Sequence, residues 1–257
     1  MNTGDDLPTL IAISTLAYIL QNVLHEIVGH GVTAWLLGAR RFTLSTVAVE
    51  SDIETGWVKA AGPLINLVLG GFFWLVLRFA ERYSPATRYF LVVALAGNLF
   101  TGTGYFLFSG AFNFGDWADV IRGLKPHLIW RLGLLILGVV TYFGSMLLVG
   151  SELNAFRGEE NTRPRNLCWT PYVSQGVLAL AAGLPNPAGP FYVVGSALAS
   201  SLGANAGLLS LPQMMQSKAK VQKPVGPIAR NTPWIATAVA ASLWFIVVLG
   251  RGITTSG

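Results

Sequence analysis

Long apolar stretches, separated by short polar connections, occupy most of this chain. A helix needs about 20 apolar residues to cross a bilayer, and six stretches reach or approach that length. They cover residues 7–37, 57–77, 89–112, 128–149, 176–211 and 234–249. The pattern predicts an all-α polytopic membrane protein with about six transmembrane helices in a single domain, residues 1–257.

Two segments depart from plain helices. Residues 42–49 are rich in β-branched side chains and partly alternate, which predicts a strand or a short hairpin within residues 42–54. Residues 184–190 read Leu-Pro-Asn-Pro-Ala-Gly-Pro, and these prolines interrupt helical hydrogen bonding. We therefore expect the fifth stretch to be a broken or re-entrant helix, which membranes tolerate only where protein or a water-filled cavity shields it.

Composition excludes an ordinary soluble enzyme. Only 11% of the 257 residues are charged and 53% are hydrophobic, whereas about 25% of the residues in a soluble domain are charged. The net charge is +5, but no basic run reaches five residues and the charges lie between the apolar stretches. We expect a lipid bilayer rather than nucleic acid as the partner. No positive charge precedes the first stretch, so we expect it to be retained rather than cleaved as a signal peptide.

The basic residues of the connections indicate an orientation. Lys and Arg number eight after the first, third and fifth stretches and five after the second and fourth. Because cytoplasmic loops are enriched in Lys and Arg, we expect the amino terminus outside and the odd-numbered loops in the cytosol of a prokaryotic cell. The basic connection 218–230 is either a solvated loop or a contact for anionic lipid headgroups.

A cluster of ionisable residues lies inside the first stretch, where residues 25–30 read His-Glu-Ile-Val-Gly-His. Such groups are costly in a membrane unless they are paired or coordinated. A hydrogen bond between helices would explain a single histidine. Two histidines that flank a glutamate supply the imidazole ligands and the general base of a hydrolytic zinc site. We identify His25 and His30 as candidate ligands and Glu26 as the candidate catalytic base, with a chance pattern as the alternative.

The spacing of the two histidines requires an unusual backbone. The common zinc-hydrolase motif places its ligands at i and i+4 on one helical face, but here they stand at i and i+5. At about 100° per residue, His30 would lie about 140° around a regular helix from His25. A π-bulge, a feature frequent at functional sites, would bring the imidazoles together, and Gly29 would ease the adjustment.

The motif resembles the His-Glu-x-x-Gly-His run of the soluble zinc enzyme dipeptidyl peptidase III, which implies that this longer spacing can bind catalytic zinc. With the β-like connection and the Gly62-Pro63-x-x-Asn66 element that follow, roughly the first half of the chain resembles the site-2 protease family of intramembrane zinc metalloproteases. The resemblance implies that Gly62, Pro63 and Asn66 lie beside the active site and bind substrate. A Gly-Pro helix start would explain Gly62 and Pro63 on structural grounds alone.

The same resemblance implies a third zinc ligand, an Asp from a later transmembrane segment. The third stretch ends in Asn113-Phe114-Gly115-Asp116, so Asp116 is our candidate, with Asp119 as the alternative. The family pattern, Asn-x-x-Pro followed by Leu-Asp-Gly, is present here only as Gly-Asp-Trp, so the choice rests on position. A helix cap is the other explanation of Asp116. Asn98 and Asn113 either bind substrate or bridge helices.

We therefore expect a zinc-dependent endopeptidase that cleaves transmembrane protein or peptide substrates, with its zinc core in residues 7–120 and additional helices in 128–257. His25 lies about 27 Å along the first helix, towards the side expected to be cytosolic. The strand at 42–49 either pairs with an unwound substrate or is an ordinary connection. A non-catalytic transporter or regulator is the alternative function, and a metal-dependent hydrolase of a lipid or small amide is a third.

Overall fold

A computed structural model describes residues 4–157, 162–186, 189, 198–215 and 224–256. Most of the described chain is helical. In the first half the elements are α1 (Leu7–Val23), a π-helix (Leu24–Val32), α2 (Thr33–Leu36), β1 (Arg41–Leu44), β2 (Val49–Ser51), α3 (Gly56–Leu77), α4 (Pro85–Phe112) and α5 (Asp116–Ile121). In the second half they are α6 (His127–Leu153), α7 (Thr162–Gly183), a second π-helix (Ala199–Gly203), a 3-10 turn (Ala204–Ala206), α8 (Gly207–Met214), α9 (Thr232–Trp244), a third π-helix (Phe245–Leu249) and β3 (Ile253–Ser256).

Five helical segments of the described chain are long and apolar enough to cross a bilayer. They are Leu7–Leu36, Gly56–Leu77, Pro85–Phe112, His127–Phe156 and Thr232–Leu249. These correspond to the first, second, third, fourth and sixth of the predicted spans. The expectation of a mostly helical chain with several membrane-length helices is therefore confirmed.

The predicted fifth span is not one helix. Its first residues belong to α7, which ends at Gly183 just before Pro185. Its last residues form the second π-helix, the 3-10 turn and the start of α8. Residues 187, 188 and 190–197 lie outside the described chain. The predicted interruption is thus confirmed where the described part of the chain reaches it.

The start of α7 differs from the prediction, which placed residues 162–175 in a connection. This stretch begins with polar residues, and its helix is held by tertiary contacts that include the burial of Leu167 and Cys168 in the core. Arg163 donates two hydrogen bonds to the carboxylate of Asp5 and two more to the carbonyls of Val225 and Gly226. The guanidinium of Arg165 lies 4.0 Å from the ring centre of Trp169, a favourable cation–π distance.

Helix α4 forms the centre of the bundle. In its most apolar window 78% of the residues are buried inside the protein, against 17% in α6 and in α9. The large core residues Tyr89, Leu95 and Phe100 of α4 are fully buried. Helices α6 and α9 therefore turn most of their apolar side chains outwards, as helices that face lipid do.

A small sheet closes one end of the bundle. The predicted hairpin is confirmed: β1 and β2 pair antiparallel, with Phe42 opposite Ser51 and Leu44 opposite Val49. The carboxyl-terminal strand β3, which was not predicted, pairs antiparallel with the other edge of β1. The strand order is β2-β1-β3. Asn22 donates a hydrogen bond to the carbonyl of Thr46, which fixes the hairpin turn against the first helix close to His25.

The other end of the bundle gathers the amino terminus and the segment before α9. The Asp6 amide donates to the carbonyl of Ile228, and the Asn231 amide donates to the hydroxyl of Thr9. Because the helix that follows Asp6 runs to Leu36 before reaching β1, the Pro224–Asn231 segment and the sheet lie at opposite ends.

This arrangement corrects the count of basic residues. The sequence predicted that the fifth connection lies at the same end as the first and third, but Arg230 lies at the end opposite to Arg41. Lys218, Lys220 and Lys223 of that connection lie outside the described residues. The described basic residues therefore no longer favour the end with the sheet as the cytosolic one. The count was wrong because the polar start of α7 was taken for a connection.

The positions of Arg41 and Arg230 predict a labelling pattern. In membrane vesicles of uniform orientation, Arg41→Cys and Arg230→Cys should react with an impermeant maleimide from opposite sides, since both side chains are exposed. Arg82→Cys should label from the same side as Arg230→Cys. The native thiol, Cys168, is buried and provides the unreactive background. Labelling of positions 41 and 230 from one side would contradict this fold.

Candidate metal centre

The two histidines lie on a π-helix. The backbone changes from α to π at Leu24 and returns at Thr33, so the predicted π-bulge is confirmed as an element of nine residues. A π-helix forms hydrogen bonds between residues five apart, which places residues i and i+5 nearly above one another. As a result the Nε2 atoms of His25 and His30 lie 3.2 Å apart, with their rings almost perpendicular.

Close packing of two glycines brings α3 against this π-helix. A Cβ atom on Gly29 would lie 2.6 Å from the Cα of Gly62, and a Cβ on Gly62 would collide with the Nε2 atoms of both histidines. Any side chain at position 62 would therefore occupy the space that the imidazole nitrogens face. Pro63 lies inside α3 and not at its start, so a Gly-Pro helix start does not explain these residues.

Asp116 completes the cluster from the beginning of α5. The turn before it needs a glycine, because Gly115 has a φ of 90°, a region that other residues rarely adopt. The Oδ2 atom of Asp116 lies 3.5 Å from Nε2 of His25 and 3.6 Å from Nε2 of His30. This oxygen is buried and accepts no hydrogen bond. Asp116 also makes no side-chain cap for α5, so the alternative explanation as a helix cap is not supported.

The three donor atoms form a triangle that suits a tetrahedral ion. Ligands about 2.0–2.2 Å from a four-coordinate zinc lie roughly 3.3–3.6 Å from one another, and the observed separations are 3.2, 3.5 and 3.6 Å. His25, His30 and Asp116 can therefore hold a metal ion. Three protein ligands leave one tetrahedral position for water or substrate, as in catalytic zinc sites.

A chain of amides determines which nitrogen of His25 carries the proton. The carbonyl of Ala94 can only accept, so the Nδ2 group of Asn98 donates to it at 2.8 Å. The Oδ1 of Asn98 then accepts from Nδ2 of Asn66 at 2.9 Å. The remaining Oδ1 of Asn66 faces Nδ1 of His25 at 2.5 Å, so Nδ1 must be the donor. Nε2 is left with its lone pair directed at the cluster.

His30 is oriented in the same way by a backbone group. Its Nδ1 lies 2.7 Å from the carbonyl oxygen of Val58 in α3, which again can only accept. Both imidazoles therefore turn unprotonated Nε2 atoms towards each other and towards Asp116. Two facing lone pairs repel unless a proton or a cation lies between them, which is a physical reason for this cluster to bind a metal.

The charge state of Asp116 agrees with this role. Burial opposes ionisation of its carboxyl group, but when a proton lies on the adjacent imidazoles of His30 and His25 their positive charge outweighs that effect and holds the pKa of Asp116 below the usual range. The side chain is therefore a carboxylate at neutral pH, the form that binds metals. Asp119, the alternative ligand, instead pairs with Arg122.

Glu26 shares a cavity of about 780 Å³ with the three candidate ligands. Lys59, Asp119 and Arg122 also line this cavity, and the side chain of Arg122 is 78% exposed. The cavity therefore reaches the surface among charged side chains, where water can enter. Val49 at the start of β2 also lines it, and the amide of Val49 interacts with the carboxyl group of Glu26.

The structure brings together most of the residues that the sequence singled out. His25, Glu26, His30, Asp116 and Asn113 line the cavity. Asn66 and Asn98 are fully buried behind His25, and their hydrogen bonds point to support of this ligand. Gly62 and Pro63 are also buried in α3.

Sequence reasoning missed two contacts at this centre. The ring of Tyr105 stacks on the imidazole of His25, with centroids 5.4 Å apart, and the carbonyl of Val58 holds His30. An aromatic residue in an apolar helix carries no signal of such a contact. A backbone carbonyl is independent of residue type, so no pattern identifies it.

Comparisons with protein-family models, with curated proteins and with solved structures give no match for this chain.

The packing of Gly62 predicts that Gly62→Ala abolishes metal binding. The added methyl would occupy the space between the two Nε2 atoms. Gly71→Ala is the matched control, because a Cβ at Gly71 in the same helix meets nothing within 4 Å. Elemental analysis of the purified variants should find zinc in Gly71→Ala at the wild-type level and none above background in Gly62→Ala. Equal zinc in both would contradict the geometry.

The amide chain predicts that Asn66→Leu weakens zinc binding about 10–100-fold, the usual effect of losing such a support. Asn66→Asp keeps an acceptor for Nδ1 of His25 and should therefore lose less zinc affinity than Asn66→Leu. Competition with a fluorescent zinc chelator measures both affinities. Unchanged zinc affinity together with a raised KM for a peptide would instead make Asn66 the substrate contact expected from the sequence.

Proposed function

We propose that the protein is a zinc-dependent intramembrane endopeptidase, similar in chemistry to the site-2 proteases that its first half resembles. The observation that carries the proposal is the triangle of donor atoms from His25, His30 and Asp116, which shares a cavity with the carboxyl group of Glu26. Two imidazoles, one carboxylate ligand and a further glutamate are the components of a hydrolytic zinc site.

The donor set favours zinc among the common metals. Magnesium and calcium prefer six or more oxygen ligands, whereas this cluster offers two nitrogens and one oxygen at tetrahedral separations. Imidazole also binds copper, iron and nickel, and geometry then discriminates among them. The triangle has the dimensions of a tetrahedral site with one position open.

Zinc bound here would act as a Lewis acid and lower the pKa of a water molecule to about 7. Glu26 would accept the proton of the attacking water and transfer it to the leaving amine, as a general base and then a general acid. Its place beside His25 on the π-helix keeps its carboxyl group in the same cavity as the ligands. The Asn66 and Val58 contacts would hold both imidazoles in position throughout.

We propose that an extended segment of the substrate pairs with strand β2. We expected this role from residues 42–49, but β1 has partners on both sides. Within the described sheet, the unpaired edge of the hairpin belongs to β2. A peptide extended along that edge would pass Val49 and the carboxyl group of Glu26, and backbone hydrogen bonds would align it.

The size of the cavity indicates how the substrate enters. A transmembrane helix about 30 Å long and 10–12 Å wide occupies roughly 2,400–3,400 Å³, whereas all the empty space of the cavity, including its opening to solvent, comes to about 2070 Å³. It can hold a short extended segment but not a complete helix. The proposed substrates are membrane proteins or peptides that unwind next to the cleaved bond.

We place the protein in a cell membrane as a multi-pass protein. The five long apolar helices support this localisation. The metal centre would lie near the end of the bundle that carries the sheet, since Asp116 lies between the end of α4 and the start of α6.

One observation favours a second candidate function, a metal-dependent transporter. The irregular segment that contains Ala199, Gly203 and Ala206 lines the same cavity, and broken helices form the binding sites of many transporters. If the protein is a transporter, the Glu26→Gln variant should keep both its zinc and its solute flux, and no peptide should be cleaved. A protease would lose cleavage and retain its zinc.

The cluster predicts one zinc per wild-type chain and its loss in His25→Ala, His30→Ala and Asp116→Ala. The chain offers two matched controls, His127→Ala and Asp119→Ala, since neither residue belongs to the triangle. Elemental analysis after gentle purification in detergent and zinc addition measures the stoichiometry. A metal-free wild type would overturn the proposal.

Glu26→Gln distinguishes the proposed activity from binding alone. We expect it to retain zinc while cleavage falls about 10²–10⁴-fold, the usual contribution of a general base. Single-span peptides of varied sequence, reconstituted with the protein in liposomes and analysed by mass spectrometry, provide the readout. Equal cleavage by Glu26→Gln and wild type would exclude Glu26 as the base.

A further inference from the structure

A second cavity, of about 540 Å³, lies between α1 and α7. It shares no lining residue with the cavity of the metal centre. Helix α1 contributes Leu7, Ile11 and Thr15, which are four residues apart and therefore lie on one face of the helix. Helix α7 lines it from Trp169 to Ala181. The cavity is therefore a groove that runs along α7.

The length of this groove matches the depth of one lipid leaflet. At about 1.5 Å per residue, the stretch of α7 from Trp169 to Ala181 is about 18 Å long. The hydrocarbon region of one leaflet is roughly 15 Å deep, which is half of the bilayer value. One acyl chain of a membrane lipid could therefore lie along the groove.

The groove is closed at the end of α7. A Cβ on Gly250 would lie 2.5 Å from the carbonyl oxygen of Ala182, so the chain after α9 touches α7 there. Leu178, which lines the groove, belongs to a buried cluster with Tyr18 and Phe245. These contacts block the groove in the direction of the sheet.

The other end of the groove lies beside two arginines. The guanidinium of Arg165, one turn before Trp169, lies 4.0 Å from the centre of the indole ring. Arg230 lies 4.0 Å from the carboxylate of Asp6, which directly precedes Leu7. Both arginines are exposed. The groove therefore begins at a basic surface.

The positive charge of Arg165 is not balanced within the described part of the chain. The nearby carboxylates are already paired, Asp5 with Arg163 and Asp6 with Arg230. No ion pair of the described residues includes Arg165, whose guanidinium lies on the ring of Trp169 instead. Its charge is therefore complementary to an anionic group at the start of the groove.

The groove itself is largely apolar, and none of the described residues that line it is charged. Val173 and Val177 are more than half exposed, so the groove opens towards the lipid side of the bundle. The hydroxyl groups of Ser174 and Ser242 donate to carbonyls of their own helices. The other polar side chains of the lining are Thr15, Thr170 and Trp169. A hydrocarbon chain suits this surface better than a polar ligand does.

We propose that the groove binds one molecule of an anionic phospholipid, with an acyl chain along α7 and the phosphate group beside Arg165. An acyl chain gains little by moving from lipid to an equally apolar protein surface, so selectivity comes from the headgroup. A basic residue near the membrane surface favours an anionic lipid about fivefold. The proposal concerns a second site and does not depend on zinc or on cleavage.

Native mass spectrometry of the full-length protein in a neutral detergent tests the headgroup preference. The protein receives equal amounts of dioleoyl phosphatidylglycerol and dioleoyl phosphatidylcholine. We expect the wild type to retain one phosphatidylglycerol at least fivefold more often than phosphatidylcholine. Arg165→Gln should lower this ratio about fivefold, whereas Arg165→Lys keeps the charge and should retain most of it. Arg82→Gln is the matched control, because Arg82 is exposed and does not line the groove.

The position of the acyl chain is tested at the closed end. Ala181→Phe fills the groove there and should weaken the binding of dioleoyl phosphatidylglycerol at least fivefold. Dilauroyl phosphatidylglycerol has shorter chains and should bind this variant as it binds the wild type. Ala240→Phe is the matched control, because Ala240 is exposed on α9 and does not line the groove.

Three results would overturn the proposal. The first is equal retention of the two dioleoyl lipids by the wild type. The second is an equal loss of preference in Arg82→Gln and Arg165→Gln, which would show a general attraction to this basic end. The third is a folded Ala181→Phe variant that binds both phosphatidylglycerols like the wild type. If Ala181→Phe does not fold, the arginine variants decide. Each of these results leaves the metal centre and the proposed function unaffected.

Discussion

The spacing of the two histidines is the constraint on which the rest of the metal centre depends. On a regular helix, residues five apart point in different directions, so His25 and His30 converge only because the backbone becomes a π-helix over Leu24–Val32. The helix also needs a neighbour that approaches closely enough to support it. Gly29 and Gly62 permit this approach, since a methyl on either would overlap the facing element. Helix α3 can then place the carbonyl of Val58 behind one ring and Asn66 behind the other.

Polar groups in an apolar bundle are stable only when their hydrogen bonds are satisfied, and this requirement gives the cluster its direction. The chain of amides from Ala94 to His25 has only one arrangement of donors and acceptors. This arrangement leaves the Nε2 lone pair of His25 facing the other two candidate ligands. The buried Oδ2 of Asp116 has no hydrogen bond, so the charged carboxylate oxygen of the cluster lacks a hydrogen-bond donor. A bound cation would remove the repulsion between the imidazoles and would pair with the carboxylate of Asp116.

The sequence was informative where a local pattern determines local structure. The i and i+5 spacing required a π-bulge, three prolines required a broken helix, and β-branched residues predicted the hairpin. Contacts between distant segments were not accessible in this way. The hydrogen bonds of Asn66 with His25 and Asn98 could not be predicted, because a motif carries no information about which residues its side chains contact. The start of α7 was missed because its first residues are polar and pair with a distant segment, as Arg163 does with Asp5. The run Ile253-Thr254-Thr255 does have strand character, but its partner β1 is far away in sequence.

These long-range contacts connect the two halves of the molecule at both ends. At one end β3, from the last residues described, lies along β1 and completes the sheet beside the hairpin turn. At the other end Arg163 binds Asp5 and the segment before α9. Between them α6 packs on α4 through Gly138 and Gly110. The candidate metal ligands and Glu26 all come from the first half of the chain. The cavity around them is complete only when the second half packs against the first. The metal centre and the walls of its cavity are therefore parts of one folding unit, although the motif that identifies the centre spans only six residues.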